Sequence, residues 1–417
     1  MNAEIIAVGS ELLTPYRMDT NSLFLTAQLN LLGVRLMRKS VVADDLALIR
    51  SAFGEALERV DLVISSGGLG PTADDLTREA VAELLGRKLI RDEEILHSIE
   101  KRFERFGRKM AEVNIRQAMV PEGATVLPNP RGTAPGLWLE AGGHIVVLLP
   151  GPPVELEPMF KEEVSPRLSR HAPNVRLFTR DVRIAGMSES EAEQRVAPIY
   201  TQYAGVETTI LASPGEIQLH PRIWSGDPAE AEKLLDELVQ RFEMVLGENV
   251  FTTSGESMEE VVASSLIFNQ STIATAESCT GGLLAERLTS LAGSSAYFRG
   301  GVVSYGNDLK TAWVDVPAEL IEAKGAVSSE VALAMAEGVR LRSGASLGLS
   351  ITGIAGPGGG SPEKPVGTVH IGLADSTGAR ERRFRYPGDR DRIRQQASQS
   401  ALDMIRRYFL YGGHNKG

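Results

Sequence analysis

Apolar side chains recur along this chain with two periods, and the switches between them mark out strands and helices in turn. Glu4 to Val8 is a short apolar run of the kind a buried strand leaves. From Thr20 to Leu32 the apolar positions return at helical spacing, behind Asp19 or Thr20 as the capping residue. A second strand is expected over Val34 to Val42, a second helix over Leu46 to Arg59, and a third, buried strand over Asp61 to Ser65. This β-α-β-α-β order implies a parallel sheet with right-handed crossovers, and ligands of such sheets bind beyond the carboxyl ends of the strands. Those ends carry Gly9-Ser10-Glu11, Asp44-Asp45 and Ser66-Gly67-Gly68-Leu69-Gly70-Pro71-Thr72-Ala73-Asp74-Asp75. Glycine-rich backbone can close its N–H groups around phosphate, and Asp44, Asp74 and Asp75 could hold a divalent cation that bridges it. Capping is the plainer account of the same residues: Thr72 or Asp75 ahead of a helix near Leu76, and Asp44 ahead of the one from Leu46.

Further along, Glu93 to Gly107 reads as a charged helix with Ile95, Ile99, Phe103 and Phe106 on one face. Glu162 to Arg176, with Pro166 and Pro173, reads as a connector. A small α+β unit follows: a strand over Arg180 to Ala185, a capping box at Ser188-Glu189-Ser190-Glu191, and a strand pair over Thr208 to Trp224 broken at Pro214-Gly215. Its last helix, Pro228 to Val245, turns Ala231, Leu234, Leu235, Leu238 and Phe242 inward, and Gly247 to Glu256 is a second connector.

The third part carries the clearest chemistry. Ser271 to Ala276 reads as a buried strand, and Leu283, Leu284, Leu288 and Leu291 recur at helical spacing. Glu277-Ser278-Cys279-Thr280-Gly281-Gly282 therefore forms a strand-to-helix turn, where free backbone N–H groups favour negative charge. Tyr305 ends the strand Gly301 to Ser304, and Lys310 follows five residues later. A serine needs a base, and a lysine of lowered pKa can serve as one. The arrangement suits Ser278 as nucleophile, Lys310 as its activator and Tyr305 as relay or orienting donor, or else an N-capping serine, a surface lysine and a half-buried tyrosine. Cys279 is the single cysteine and a rival nucleophile, but no histidine partner lies near it in the sequence. Gly344-Ala345-Ser346-Leu347-Gly348 matches the nucleophile-elbow pattern, yet its serine precedes a strand (Leu347 to Thr352) where the elbow requires one to come before it. That strand ends in the glycine-rich loop Gly353 to Gly360; Val366 to Ala374 returns as a strand, and Asp389 caps a last helix whose arginines are mostly solvated.

Composition narrows the class. At 417 residues, two or three domains are expected. Hydrophobic content of 42% and charged content of 24% are those of a soluble globular protein. A net charge of −10, from 44 basic and 54 acidic side chains, argues against nucleic acid as a partner. One cysteine excludes an internal disulfide, no apolar run is long enough for a membrane span, and Met1-Asn2-Ala3-Glu4 lacks a basic leader. A cytoplasmic location without membrane partners is expected.

Four motifs, Ala276-Glu277-Ser278-Cys279-Thr280-Gly281-Gly282, Gly300-Gly301-Val302-Val303-Ser304-Tyr305, Gly325-Ala326-Val327-Ser328 and Ile351-Thr352-Gly353-Ile354-Ala355-Gly356-Pro357, resemble in order the carboxy-terminal domain of the CinA family. Free-standing relatives of that domain are nicotinamide-nucleotide amidases, which hydrolyse the carboxamide of nicotinamide mononucleotide (NMN) without a cofactor. The resemblance places the catalytic roles on Ser278, Tyr305 and Lys310, and substrate contacts on Glu277, Cys279, Thr280, Gly281, Gly282, Thr352, Gly353, Ala355 and Gly356. Asp19-Thr20-Asn21, Gly67 to Thr72, Asp74-Asp75, Asn129 to Gly136 and Leu149 to Pro153 resemble the family's amino-terminal, molybdopterin-binding-type domain. That domain is associated with a metal-dependent ADP-ribose pyrophosphatase activity, using a divalent cation of the Mg, Mn, Co or Ni class and also potassium. Its implied site takes Ser10, Glu11, Asp19, Asn21, Asp44, Gly67, Gly68, Gly70, Thr72, Asp74 and Asp75. The chain departs from the family's pattern at Thr14-Pro15-Tyr16-Arg17-Met18, where Pro15 stiffens the loop and Tyr16 and Arg17 add bulk beside the expected phosphate site. The α+β unit is similar to the family's KH-like domain but has no GXXG loop. The resemblance thus implies an α/β protein of three domains: a parallel-sheet domain over 1–168, a KH-like unit over 175–248 and an amidase domain over 255–413, assembled as a homodimer. Two other classes fit the same residues. One is a protein whose amino-terminal half only binds a nucleotide or pterin and regulates the rest; the other is an adaptor in DNA uptake or repair.

Overall fold

The computed structural model describes residues 1–171 and 174–412, so Pro173 of the expected connector lies outside the described residues. The chain divides into two compact units, one of residues 1–178 with 224–229, the other of residues 179–223 with the chain from Glu230 onward.

In the first unit the strands run in the order Arg35–Val42, Asn2–Val8, Leu62–Ser66, His144–Leu149, Gly136–Ala141, Thr125–Leu127. The first four are parallel, as the alternating pattern implies, but the last two are antiparallel, so the sheet is mixed. The reason is local. Gly142 and Gly143 both take positive φ, and this two-residue turn folds His144–Leu149 back on Gly136–Ala141 as a hairpin. Successive residues of the central strand Asn2–Val8 feed opposite faces: Ile5 packs with Leu25 and Leu29, Ile6 with Phe53 and Val63. The helices Asn21–Leu31 and Leu46–Leu57 lie close to where the periodicity puts them.

Two expectations are corrected here. The stretch from Glu162 is not a linker, because Phe160–Val164 is a π-helical turn that runs on from Pro153–Met159 into the short helix Ser165–Leu168. Phe160, Val164 and Leu168 are fully buried against the sheet. Pro166 falls where the π-helical turn passes into the short helix. In the helix Glu93–Arg105, Ile95 and Ile99 are buried and Phe103 is half-buried, but Phe106 lies beyond the last turn and is 68% exposed.

In the second unit, a small antiparallel sheet runs Val206–Ser213, Glu216–Ser225, Val182–Ala185, Val250–Thr252, with the expected turn at Pro214-Gly215. Helices Glu189–Tyr200, capped by Ser188, and Pro228–Leu246 bury Val196, Leu235, Leu238 and Phe242. The carboxy-terminal sheet runs Phe298–Val303, Ile273–Glu277, Leu347–Gly353, Thr368–Asp375, Gly378–Arg385. Its first three strands are parallel and the rest antiparallel, so the carboxyl ends of three neighbours open at one edge.

The small sheet is fastened to the last helix, Arg390–Leu410, by buried charge. Asp403 accepts from Arg406 Nε at 2.8 Å and from Arg407 Nε at 2.7 Å; Arg406 also donates to the Glu248 carbonyl, and Arg407 to Asn249 and the Glu248 carboxylate. All three helix residues are under 10% exposed. Removing one partner of such a set strands the others in a poor dielectric, a loss of roughly 3–5 kcal/mol. Asp403→Ala is therefore expected to lower the denaturation midpoint of the second unit well beyond a surface substitution, as followed by urea titration.

Candidate functional sites

The first site grows from the carboxyl ends of the parallel strands. Behind Leu62–Ser66 the chain needs positive φ at Gly67 (98°) and Gly68 (67°), which glycine adopts without strain. The loop's carbonyls are then drawn into the protein. Arg78, 1% exposed, donates to Leu69 O at 2.6 Å and Gly70 O at 3.1 Å, and Arg116 donates to Thr72 O and Asp75 O. Asp75 ties the loop from the other side, accepting from Gly70 N and Thr72 N, both at 2.8 Å, and from Thr72 Oγ1. The Gly67 N–H goes to Leu149 O, and among the described residues the N–H groups of Gly68 and Leu69 have no acceptor. A cleft of about 550 Å³ opens beside them, lined by Glu11, Asp19, Asn21, Asp44, Thr72, Asp74, Asp75 and Glu155, with Arg17 and Met18 from the departing loop.

The capping question resolves residue by residue. Asp45, not Asp44, caps the helix from Leu46, accepting from Ala47 N and Leu48 N. Asp44 instead accepts from Ser10 N at 2.7 Å while its own N–H donates to Ser10 Oγ, so Ser10 shapes the rim without lining the cleft. Asp19 caps the helix Asn21–Leu31 through Ser22 N, and Asn21 donates to Gly151 O while its Oδ1 is buried with no partner. Thr72 Oγ1 donates to Asp74. The expected three-carboxylate cation site is corrected: no cluster of three His, Cys, Asp or Glu able to hold a metal ion forms among the described residues. Asp75 spends both oxygens on the loop's own N–H and O–H groups.

The second site lies where strands Ile273–Glu277, Phe298–Val303 and Leu347–Gly353 end together. Ser278 follows the first of these and is half-buried; its N–H donates to Ile351 O. Lys310, from the first turn of the helix Asn307–Val314, is 1% exposed, and its Nζ stands 3.3 Å from Ser278 Oγ. The same Nζ donates to Ser304 O at 2.9 Å and Tyr305 O at 3.1 Å, carbonyls left unpaired where the edge strand leaves the sheet. Burial pushes the Lys310 amine below its ordinary pKa. Tyr305 thus reaches the lysine through its backbone. Its phenol, on a side chain 56% exposed, instead accepts from Arg390 at 3.0 Å, and Arg390 also donates to Gly356 O.

Several expected substrate contacts are corrected. Glu277 is 1% exposed and accepts from Gly282 N, Leu284 N and Ala285 N at 3.0, 3.1 and 2.8 Å, so it caps the helix Leu283–Thr289 and faces no ligand. Cys279 lies in the core, where burial pushes its thiol up to about 12. Thr280 and Ala355 are likewise buried, so their side chains face no ligand. Thr352 is fully buried and donates to Ala326 O, which ties the Gly325 to Ser328 motif to the sheet. Gly353 lies where a side chain would strike Val369 and the Thr368 carbonyl of the neighbouring strand, a packing reason for glycine. Gly281 and Gly282 take positive φ (62° and 98°), which lets the turn close. Sequence reading missed Arg394, which donates from Nε and Nη2 to the Thr280 carbonyl. No local spacing signals it, because its partner Thr280 lies 114 residues earlier in the chain.

Residues 4–170 match the model of a probable molybdopterin binding domain, residues 179–252 the damage-inducible protein CinA KH domain, and residues 255–409 the CinA C-terminal domain. A CinA-like protein of Solibacter usitatus is 48% identical over 98% of both chains. A putative competence-damage inducible protein of Acetivibrio thermocellus is 44% identical over 98% of this chain and 99% of its own. The chain belongs to the CinA family. Among solved structures, a CinA protein of unknown function from Thermoplasma acidophilum shares 42% identity with this CinA-family chain, covering 39% of it and 95% of its own length, with a TM-score of 0.37. Among the described residues no helix is long and apolar enough to cross a membrane.

The capping role of Glu277 has a measurable consequence. Each buried N–H left without an acceptor costs roughly 1–3 kcal/mol, so Glu277→Ala is expected to destabilise the second unit by about 3 kcal/mol or more. Thermal denaturation checks this; an unchanged midpoint would return Glu277 to the ligand side of the turn.

Proposed function

We propose that the carboxy-terminal domain hydrolyses the carboxamide of NMN, giving nicotinic acid mononucleotide and ammonia, with Ser278 as nucleophile. The observation that carries this reading is the buried Lys310 amine 3.3 Å from Ser278 Oγ. A neutral amine has two N–H bonds and one lone pair. Ser304 O and Tyr305 O accept the two N–H bonds, which leaves the lone pair for the serine proton. Ser278 Oγ attacks the carboxamide carbon as its proton passes to Lys310 Nζ. The tetrahedral oxyanion then collapses, the C–N bond breaks, and ammonia leaves with the proton from Lys310. Water, deprotonated by the same amine, cleaves the acyl-serine ester and restores the hydroxyl. Tyr305 and Arg390, hydrogen-bonded at the rim, are the groups placed to meet the rest of the nucleotide.

For the amino-terminal cleft we infer a nucleoside diphosphate such as ADP-ribose, on the strength of the free Gly68 and Leu69 N–H groups facing a nucleotide-sized space. A divalent cation, when bound, supplies charge neutralisation between phosphate oxygens and carboxylates. The cleft's oxygen donors suit such a hard cation, and Asp44, Asp74 and Asn21, whose Oδ1 is unpartnered, are the residues that would hold it. The relatives' names point instead to competence and DNA damage, but a cleft lined by six carboxylates is a poor surface for nucleic acid.

Purified protein is expected to release ammonia from NMN in the presence of EDTA. Ser278→Ala should lose at least about a thousandfold in kcat, and Cys279→Ala should keep most of the activity. No release from folded wild type would move the domain to a binding role, and loss in the cysteine variant alone would reassign the nucleophile. The pH profile follows from the lysine. Only the neutral amine accepts the serine proton, so kcat/KM should rise with pH through the pKa of Lys310, which burial lowers, and level off above it. A rate that does not change with pH over the whole range in which the protein stays folded would remove Lys310 as the base.

A further inference from the structure

Most backbone N–H groups around Ser278 have an acceptor. Ser278 N donates to Ile351 O, Gly281 N to Ser278 O at 3.1 Å, Leu283 N to Thr280 O at 3.3 Å, and Glu286 N to Gly282 O. The Glu277 carboxylate takes Gly282, Leu284 and Ala285. The helix start, where free donors are ordinarily found, therefore offers few. Two N–H groups are left without an acceptor among the described residues, those of Cys279 and Thr280, which directly follow the nucleophile. A pair of N–H groups in that position can bind the negative oxygen of a tetrahedral intermediate.

What keeps this pair free is the hold on the next peptide. The Thr280 carbonyl accepts from Arg394 Nη2 at 2.8 Å and Nε at 3.2 Å, as well as from Leu283 N. Arg394 stands one helical turn beyond the Asp389 cap of the helix Arg390–Leu410, and Ile393 and Ala397 anchor that helix in the core. A guanidinium gripping one carbonyl with two N–H groups fixes the peptide plane more firmly than a single neutral donor does. Together with the Gly281 N to Ser278 O bond, it sets the peptides between them. The buried Cys279 side chain pins the same turn from beneath.

Resting on the serine-amidase reading, we infer that the N–H groups of Cys279 and Thr280 form the oxyanion hole, and that Arg394 is the positioning residue that holds them in place. Arg394 touches no reacting atom in this assignment. Its loss should weaken the transition state and leave substrate binding nearly intact.

Two readouts on the full-length protein test this. In NMN hydrolysis, Arg394→Ala is expected to lower kcat by about 100-fold with KM changed less than about threefold. The midpoint of the pH profile should stay put, because the surroundings of Lys310 are unaltered. Arg394→Lys, which keeps one charged donor, should recover part of the loss and serves as the second variant if the alanine protein does not fold. The other readout needs no amide turnover. A small alkyl fluorophosphonate forms a Ser278 Oγ–P bond as the P–F bond breaks; fluoride leaves, Lys310 takes the proton, and the phosphonyl oxygen occupies the hole. The labelling rate, followed by intact mass, should fall with Arg394→Ala in parallel with kcat. Equal labelling of wild type and both variants, or no labelling of Ser278 at all, overturns the inference. Wild type that labels at Ser278 but leaves NMN untouched, with labelling slowed in Arg394→Ala, sinks the amidase reading and supports the hole.

Discussion

An amine taken out of water loses more solvation as an ammonium than as a free base, and this cost sets the chemistry of the carboxy-terminal domain. Lys310 is held there by the sheet's geometry. Where the edge strand Phe298–Val303 stops pairing, the carbonyls of Ser304 and Tyr305 would stand buried without partners, and the lysine satisfies both. The same contacts that remove a structural penalty therefore aim the nitrogen at Ser278. Parallel pairing with Ile273–Glu277 puts that serine at the neighbouring strand end, so register in the sheet fixes the distance between Lys310 and Ser278.

The side chains next to Ser278 are disarmed by what surrounds them. Cys279, the stronger nucleophile in free solution, sits in apolar packing where its thiolate is scarcely formed at neutral pH. Glu277 could compete for the lysine's proton, but three helix N–H groups hold its carboxylate. Burial on one side and capping on the other thus leave Ser278 as the residue of the three open to a ligand.

Local patterns were legible in the sequence and long-range partners were not. The strands, helices and the turn at Ser278 followed from periodicity and glycine placement, and resemblance carried the Ser278 and Lys310 assignment. Phe160, Val164 and Leu168 were hidden by their prolines, although their four-residue spacing is helical. The hairpin at Gly142-Gly143 had a turn signal, but the parallel pattern before it dominated the reading. Choosing between Asp44 and Asp45 as the cap turns on one residue of register, and pattern does not resolve that. Glu277 looked like a ligand contact because a buried carboxylate beside a nucleophile has two uses, and only hydrogen-bond geometry separates them. Arg394 donates to a carbonyl 114 residues away, a link no local spacing encodes.

The two candidate sites solve one problem by the same means. Each places a glycine turn at the end of a buried strand and draws the turn's carbonyls inward with arginine, Arg78 and Arg116 in one case, Arg394 in the other. Each thereby leaves two successive N–H groups without an acceptor among the described residues, Gly68 with Leu69 and Cys279 with Thr280. Backbone donors held in this way favour negative charge whatever its origin. What differs is the company they keep. Ser278 and a buried amine stand beside one pair, so negative charge can be created there by attack on a neutral carbonyl. Around the other pair stand carboxylates and no activated nucleophile, so the negative charge must arrive with the ligand and bring its counter-charge with it. That contrast, more than the fold of either domain, is what the two proposed activities rest on.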